Sequence, residues 1–195
     1  MSERAGEQAG GPPDPVSRWE EQEREELADC RVFSVQRRRF RHPRRGVEAD
    51  FFVVQPADWA VAMGRTAEGA WLMVRQFRYG TQSRGWEFPS GCCGPGEDPL
   101  AAATRELREE TGYEGRDPVV LGTVEPNPAI QDNRCTFVYF RHLAHAGVPA
   151  WDEHEEIEVA LWTDAELRAA ARDGRMPHAL MHAGLSLHDA WAREA

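Results

Sequence analysis

The sequence contains no lysine, so each of its 23 basic residues is an arginine. Against them stand 33 acidic residues, and the formal net charge is −10. That excess repels phosphate backbones and anionic lipid surfaces, which argues against a general binder of nucleic acid or membrane. Long apolar runs are also missing: none approaches the roughly 18 residues that a bilayer-spanning helix needs. Residues 1–7 show neither a basic nor an apolar segment of the kind that directs export. Cysteine is scarce. Cys30, Cys92, Cys93 and Cys135 form no C-x-x-C pair, so neither a zinc site nor a disulfide framework is indicated, and a cytoplasmic protein is expected. The seven histidines show no metal-ligand spacing, and there are no internal repeats.

What is present is globular. The 195 residues are 41% hydrophobic and 29% charged, enough for one domain with an appendage and a sizeable core. Residues 1–16, rich in glycine and proline with almost nothing large and apolar, read as a disordered tail. The Glu-rich stretch 19–29 reads as a short helix. Alternation predicts strands at 30–36 and 49–55, with Pro43 and Gly46 marking the turn between them. Further strands are expected at 59–63, 70–78, 118–124, 134–143 and 156–163. A Gly/Pro-dense stretch, 85–99, leads into a helix over 99–111 stopped by Gly112. Thr163 opens another helix, and 177–191 reads as a last one. Strands interrupted by a central helix, with helices at the end, predict an α/β chain with a mixed sheet between helical layers.

The informative segment runs from Gly91 to Tyr113. At about 100° per residue, Glu106, Glu109 and Glu110 fall within an arc of about 100°, beside a buried stripe of Leu100, Ala103 and Leu107. Three carboxylates held together repel one another unless something positive sits among them. Oxygen donors without His or Cys suit a hard cation, Mg²⁺ or Mn²⁺. Arg105, one turn before Glu109, can orient a carboxylate. Taken singly these features are weak: a Glu-rich face is usually just solvated, and Gly91, Gly94 and Gly96 can mark a turn only.

Together, Gly91, Glu97, Arg105, Glu106, Leu107, Glu109, Glu110, Gly112 and Tyr113 fall without a gap into G-x5-E-x7-R-E-U-x-E-E-x-G-U. This resembles the box of the Nudix hydrolases, with Tyr113 where an aliphatic residue is commoner. The resemblance implies a Nudix-type α/β/α sandwich and Mg²⁺-dependent hydrolysis of a nucleoside diphosphate linked to another group, with Mn²⁺ as a substitute. It carries Glu106 and Glu110 over as metal ligands, with Glu109 in the cluster and the carbonyl oxygen of Ser90 as a further ligand. Arg105 becomes a charge-orienting catalytic residue, and Gly91, Glu97 and Gly112 shape the box.

The flanks resemble the ADP-ribose and nucleotide-sugar pyrophosphatase branch. Residues 74–79, Val-Arg-Gln-Phe-Arg-Tyr, look like its Q-x-R strand and point to Arg78 as a substrate contact. Residues 86–91, Trp-Glu-Phe-Pro-Ser-Gly, look like its E-x-P-x-G approach to the box, adding Trp86 and Glu87 as substrate-binding candidates. Residues 126–130 depart from the branch's usual P-S-P-G, which leaves GDP-mannose and ADP-glucose beside ADP-ribose as substrates. The acidic stretch 151–157 is similar to the loop that supplies a general base and another ligand. By position Glu153 is the base and Glu155 the ligand, with His154 and Glu156 as alternatives. Products would be a nucleoside monophosphate and a sugar phosphate.

The resemblance divides the chain into a tail (1–16), a β dimerisation extension (17–56) and a hydrolase domain (57–195). Strands rich in Val32, Phe33, Val35, Phe51, Phe52, Val53 and Val54 need a second cover, and the resemblance to dimeric ADP-ribose pyrophosphatases implies that a neighbouring subunit supplies it, a homodimer with Phe33 reaching toward the substrate. Phe33 and Trp86 can stack on a base or pack in a core. Six arginines at 37, 38, 39, 41, 44 and 45 read as a solvated strand end rather than a phosphate-binding run. Two other functional classes compete: a non-catalytic Nudix module that senses ADP-ribose-like ligands, and a nucleoside-triphosphate sanitising pyrophosphatase. The complete box weighs against the first, and the strands before residue 57 weigh against the second.

Overall fold

The computed structural model describes residues 16–194, so nearly all of the expected tail lies outside the described residues. The chain divides into two compact units, one ending at Gln55 and the other beginning at Pro56.

The first unit is a three-stranded antiparallel sheet of β1 (Glu20–Asp29), β2 (Phe33–Arg41) and β3 (Glu48–Pro56), in the order β1-β2-β3. The expected helix over 19–29 is therefore a strand. Its register explains why. Glu23 faces Arg39 and Glu25 faces Arg37 across the β1–β2 ladder. Arg37 bridges Glu23, Glu25 and Asp50, and Arg39 also pairs with Asp50. Cross-strand charge pairs of this kind outweigh the modest helical preference of glutamate. Of the arginine run, Arg37 and Arg39 thus bridge acidic residues of β1 and β3, Arg38 is buried, and Arg44 and Arg45 lie in the turn after β2. Trp19 packs edge-on against His42 and Phe51.

The second unit is built on a mixed sheet. Its strands are β4 (Trp59–Thr66), β5 (Trp71–Arg78), β6 (Ser83–Glu87), β7 (Ser90–Cys92), β8 (Tyr113–Val124), β9 (Cys135–His145) and β10 (Glu158–Trp162). Their order is β10-β5-β4-β9-β8, with β6 added on β5 and β7 on β4. The β4–β9 pairing is parallel and the other pairings are antiparallel. Strands buried on both faces read as continuous apolar runs, and here the pleat sorts them. Ala60, Ala62, Leu72, Val138 and Phe140 face α1 (Pro99–Thr111), meeting Ala102, Ala103 and Leu107. Val61, Met63, Trp71, Met73, Phe137 and Tyr139 face α2 (Asp164–Asp173) and α3 (Ala179–Glu194), meeting Leu167, Ala170, Leu180, Met181 and Leu185. One helix on one face and two on the other make the expected α/β/α sandwich. The Gly/Pro-dense stretch holds two short strands, β6 and β7, that alternation does not reveal.

Candidate active site

The turn from β7 into α1 is closed by local chemistry. Asp98 caps the helix, its side chain accepting from the amides of Leu100 and Ala101, and Pro99 occupies the first turn. Upstream, the amide of Gly94 donates to Glu97 Oε2 at 2.7 Å. Arg105 reaches back from the helix and grips both oxygens of Glu97, at 3.0 and 2.9 Å, and the carbonyl of Cys92 at 3.1 Å. Its remaining nitrogen meets Glu106 Oε1 at 2.7 Å and Glu109 Oε2 at 3.0 Å. One guanidinium therefore staples the loop to the helix and offsets part of the carboxylate charge. Arg105 and the Gly94 amide hold the Glu97 carboxyl down to about 2, and Glu97 in turn raises Arg105.

Glu106 and Glu110 project from α1 onto the backbone of β7. A Cβ on Gly91 would overlap the Glu106 carboxylate, so only glycine lets that side chain lie against the strand. Glu110 is buried, its Oε2 accepting from the Ser90 amide at 3.0 Å and its Oε1 from Gln76 at 3.2 Å. Burial pushes the Glu110 carboxyl up to about 8, and the charge of Glu106 adds to the effect. Glu106 is also raised, by burial against the pull of Arg105, with Glu109 and Glu155 adding repulsion. The buried Ser90 hydroxyl has no hydrogen-bond partner. Among the described residues no three His, Cys, Asp or Glu side chains enclose an ion by themselves. The set is instead two glutamates converging on strand backbone. Oxygen-only donors, two carboxyls driven toward neutrality by burial and mutual repulsion, and an unsatisfied hydroxyl together fit a hard divalent cation.

Behind this group, Arg78 forms a fork with Glu87 at 2.9 and 2.7 Å. The Glu87 side chain is 2% exposed and also meets His178 Nδ1 at 3.3 Å. Against its burial, His178 and Arg78 hold Glu87 down to about 2. Trp59 stands edge-on to His178, lies under Arg78, and donates its indole N–H to Cys92 Sγ at 2.9 Å. The cluster thus connects with the loop that Arg105 holds. His178 carries no sequence signal, because it lies 91 residues from Glu87. Gln76 stands in view within the Q-x-R stretch, but its contact with Glu110 depends on strand pairing.

The acidic loop is anchored at the far end of α1. The Trp151 indole donates to the Glu110 carbonyl at 2.9 Å, and the Ala150 amide to the Glu109 carbonyl at 2.8 Å. Gly112, at φ 71°, packs its Cα against the Gly147 carbonyl, which a Cβ would overlap. Glu155 turns back to accept from the Asp152 amide at 3.1 Å, and its charge reaches Glu106. Glu153 stands in solvent, 86% exposed, with Oε1 3.4 Å from His154 Nε2. Trp86 lies on the face of β5–β6 opposite Gln76, Arg78 and Glu87, packed on Trp162 and under Arg75. Phe33 belongs to the first unit, 37% exposed at the start of β2. The structure therefore gathers Ser90, Gly91, Glu97, Arg105, Glu106, Glu109 and Glu110 at the turn from β7 into α1. Arg78 and Glu87 lie behind them, and Glu155 is close by.

The comparisons point the same way. A mouse protein named ADP-sugar pyrophosphatase is 54% identical over 44 residues, 23% of this chain and 20% of that protein. A Mycobacterium tuberculosis protein named ADP-ribose pyrophosphatase is 28% identical over 161 residues, 80% of this chain and 77% of that one. In three of the curated relatives the match spans 20%, 30% and 65% of their length. A crystal structure of an ADP compounds hydrolase superposes with a TM-score of 0.79 at 22% identity, over 93% of this chain and 97% of that one, which establishes the fold. The profile of the NUDIX domain matches residues 55–181, and the chain belongs to the NUDIX domain family.

Proposed function

We propose that this chain is a divalent-cation-dependent pyrophosphohydrolase that cleaves nucleoside diphosphate sugars of the ADP-ribose, ADP-glucose or GDP-mannose type. The products are a nucleoside monophosphate and a sugar phosphate. The observation that carries the reading is the buried Glu110 carboxyl, displaced upward beside Glu106 on the bare backbone of Gly91. Glu106, Glu110 and the Ser90 carbonyl would hold the cation, Mg²⁺ by preference and Mn²⁺ as a substitute, with Glu109 and Glu155 adding charge. Such a cation neutralises a pyrophosphate, polarises its P–O bonds and acidifies water.

The chain's own residues do the rest. Arg105 fixes the loop and the orientation of Glu106 and Glu109. Arg78, held by Glu87, presents positive charge toward an anionic substrate. Glu153, exposed in the acidic loop, accepts the proton of the attacking water, a role typically worth 10²–10⁴-fold. Aromatic surface for the base comes from Phe33 of the partner subunit, since Trp86 faces the other side of the sheet. The names of the mouse and mycobacterial relatives support the substrate class.

In this reading residues 17–56 are a dimerisation extension and 57–195 the hydrolase. Phe33, Phe51 and Phe52, all exposed on the first unit's sheet, support a homodimer. No helix among the described residues is long and apolar enough to cross a membrane. The four free cysteines suit a reducing cytoplasm. The test is a panel of nucleotide sugars and nucleoside triphosphates assayed with Mg²⁺ for released phosphomonoester. Turnover of a nucleotide sugar above that of every triphosphate is expected, and the reverse order rejects the substrate class.

A further inference from the structure

The face of the sheet opposite α1 carries a second concave, charged site. A cleft of about 430 Å³ between α2 and α3 is lined by Arg168, Ala171, Arg172, His182, Leu185, Ser186, Asp189 and Arg193. The spacing explains why these residues share it. Arg168, Ala171 and Arg172 recur at i, i+3 and i+4 on α2, and His182, Ser186, Asp189 and Arg193 recur about every fourth residue on α3. Each helix turns one polar stripe toward the other. Leu185 is buried in the core and Ala171 packs against that core, so the floor of the cleft is apolar.

Three guanidiniums line this cleft with one carboxylate. Arg168 and Asp189 form a two-point ion pair across it, one contact measuring 2.7 Å, and Arg168 holds the Asp189 carboxyl below its usual range. That pair uses two of the five N–H donors of Arg168. Arg172 lies one turn beyond Arg168 on α2, and Arg193 one turn beyond Asp189 on α3. Neither makes an ion pair or hydrogen bond among the described residues. Cations favour the last turn of a helix, which accounts for an arginine in each, but not for both opening onto one cleft. In a chain of net charge −10, an excess of positive charge in a concavity concentrates anions.

We propose that the α2–α3 cleft binds a small organic phosphate, at a site separate from the α1 carboxylates. Guanidinium forks match phosphate oxygens in pairs. Arg172 and Arg193 take the phosphate with the spare donors of Arg168, and the Ser186 hydroxyl adds a hydrogen bond. The apolar floor of Ala171 and Leu185 takes the organic part, and the volume falls in the range of small-molecule sites.

Titration calorimetry of the full chain with AMP in EDTA tests this. Wild type is expected to bind one AMP saturably. The double variant Arg172→Gln/Arg193→Gln should bind at least about tenfold more weakly, because two charged phosphate contacts are lost. Ser186→Asp leaves every arginine in place but sets a carboxylate in the cleft, at an exposed position that tolerates it, and should weaken binding as much. Glu110→Gln should leave AMP affinity within about twofold. Absence of saturable binding to wild type, wild-type affinity in either cleft variant, or loss of binding in Glu110→Gln overturns the assignment.

Discussion

The amide of Ser90 donates to Glu110 Oε2 at 3.0 Å, which ties the first residue of β7 to a carboxyl three turns along α1. Glu110 is held there although burial raises its pKa to about 8. Replacing it with glutamine preserves the shape and the acceptor oxygen, so the fold should survive. The proposed cation ligand is lost, and kcat should fall at least ~100-fold with little change in thermal midpoint. Wild-type kcat in Glu110→Gln would show that this carboxyl has no part in the chemistry.

Arg105 makes its contacts through a planar fork that lysine cannot reproduce. Arg105→Lys keeps one positive charge near Glu106 but frees Glu97 and the Cys92 carbonyl. Misplacing the carboxylates by a fraction of an ångström is expected to cost about 10–100-fold in kcat/KM. Steady-state kinetics of Arg105→Lys and Glu97→Gln check this, and the two variants should lose activity to a similar degree.

How much of the fold and site is legible in the sequence depends on the distance over which each signal acts. The loop, the cap at Asp98, the helix and the Gly112 stop are local, and residue spacing alone places Glu106, Glu109, Glu110 and Arg105 together along one helix. The two faces of the sheet also follow from apolar runs such as 60–63 and 137–140. Pairings between remote segments do not. The 19–29 stretch reads as a helix because its partner arginines, 37 and 39, lie on another strand. His178 and Trp59 join Glu87 and Arg78 only through tertiary packing, and the role of Trp151 as an anchor on Glu110 is likewise invisible to spacing.

Stability should depend on pH in two windows. Glu87 is held below its ordinary 4.5, to about 2, so its contribution is complete above pH 4.5 and is lost as pH falls toward 2. The shift corresponds to about 3 kcal/mol. His188, buried among Trp71, Tyr139 and Trp191, is held below 6.5 chiefly by burial. The unfolded chain therefore takes up that proton first, and stability begins to fall as pH drops below 6.5. Glu110, raised to about 8 by burial, and Glu106, also raised, act in the opposite sense and add stability as pH falls toward 4.5. Urea unfolding across pH 2–8 of the double variant Glu106→Gln/Glu110→Gln, which removes that opposing pair, should show both declines, with an added His188→Leu flattening the upper one. A midpoint constant from pH 8 to pH 3 in the double variant contradicts both.

The acidic loop offers a choice among carboxylates. Glu153→Gln should slow turnover by about 10²–10⁴ while leaving cation affinity nearly intact. Glu155→Gln, whose charge reaches Glu106, should weaken cation binding as well. An unimpaired Glu153→Gln beside an inactive Glu156→Gln would move the base to Glu156.

Phe52 is 58% exposed on β3, in a sheet that displays Phe33 and Phe51 as well. Light scattering should find a dimer of the full chain, and Phe52→Asp should shift it toward monomer. Deleting 1–56 should give a monomer with weakened substrate affinity. A wild-type monomer with normal KM at catalytic concentrations contradicts the dimer.

The central claim, that the α1 carboxylates serve a cation-dependent hydrolysis, is tested most directly by phosphomonoester release from ADP-ribose as Mg²⁺ is titrated into the chelated protein. The account predicts no turnover in excess EDTA, a saturable rise with Mg²⁺, and no such rise in the double variant Glu106→Gln/Glu110→Gln. Full turnover in excess EDTA, or a wild-type Mg²⁺ response in that variant, would contradict it.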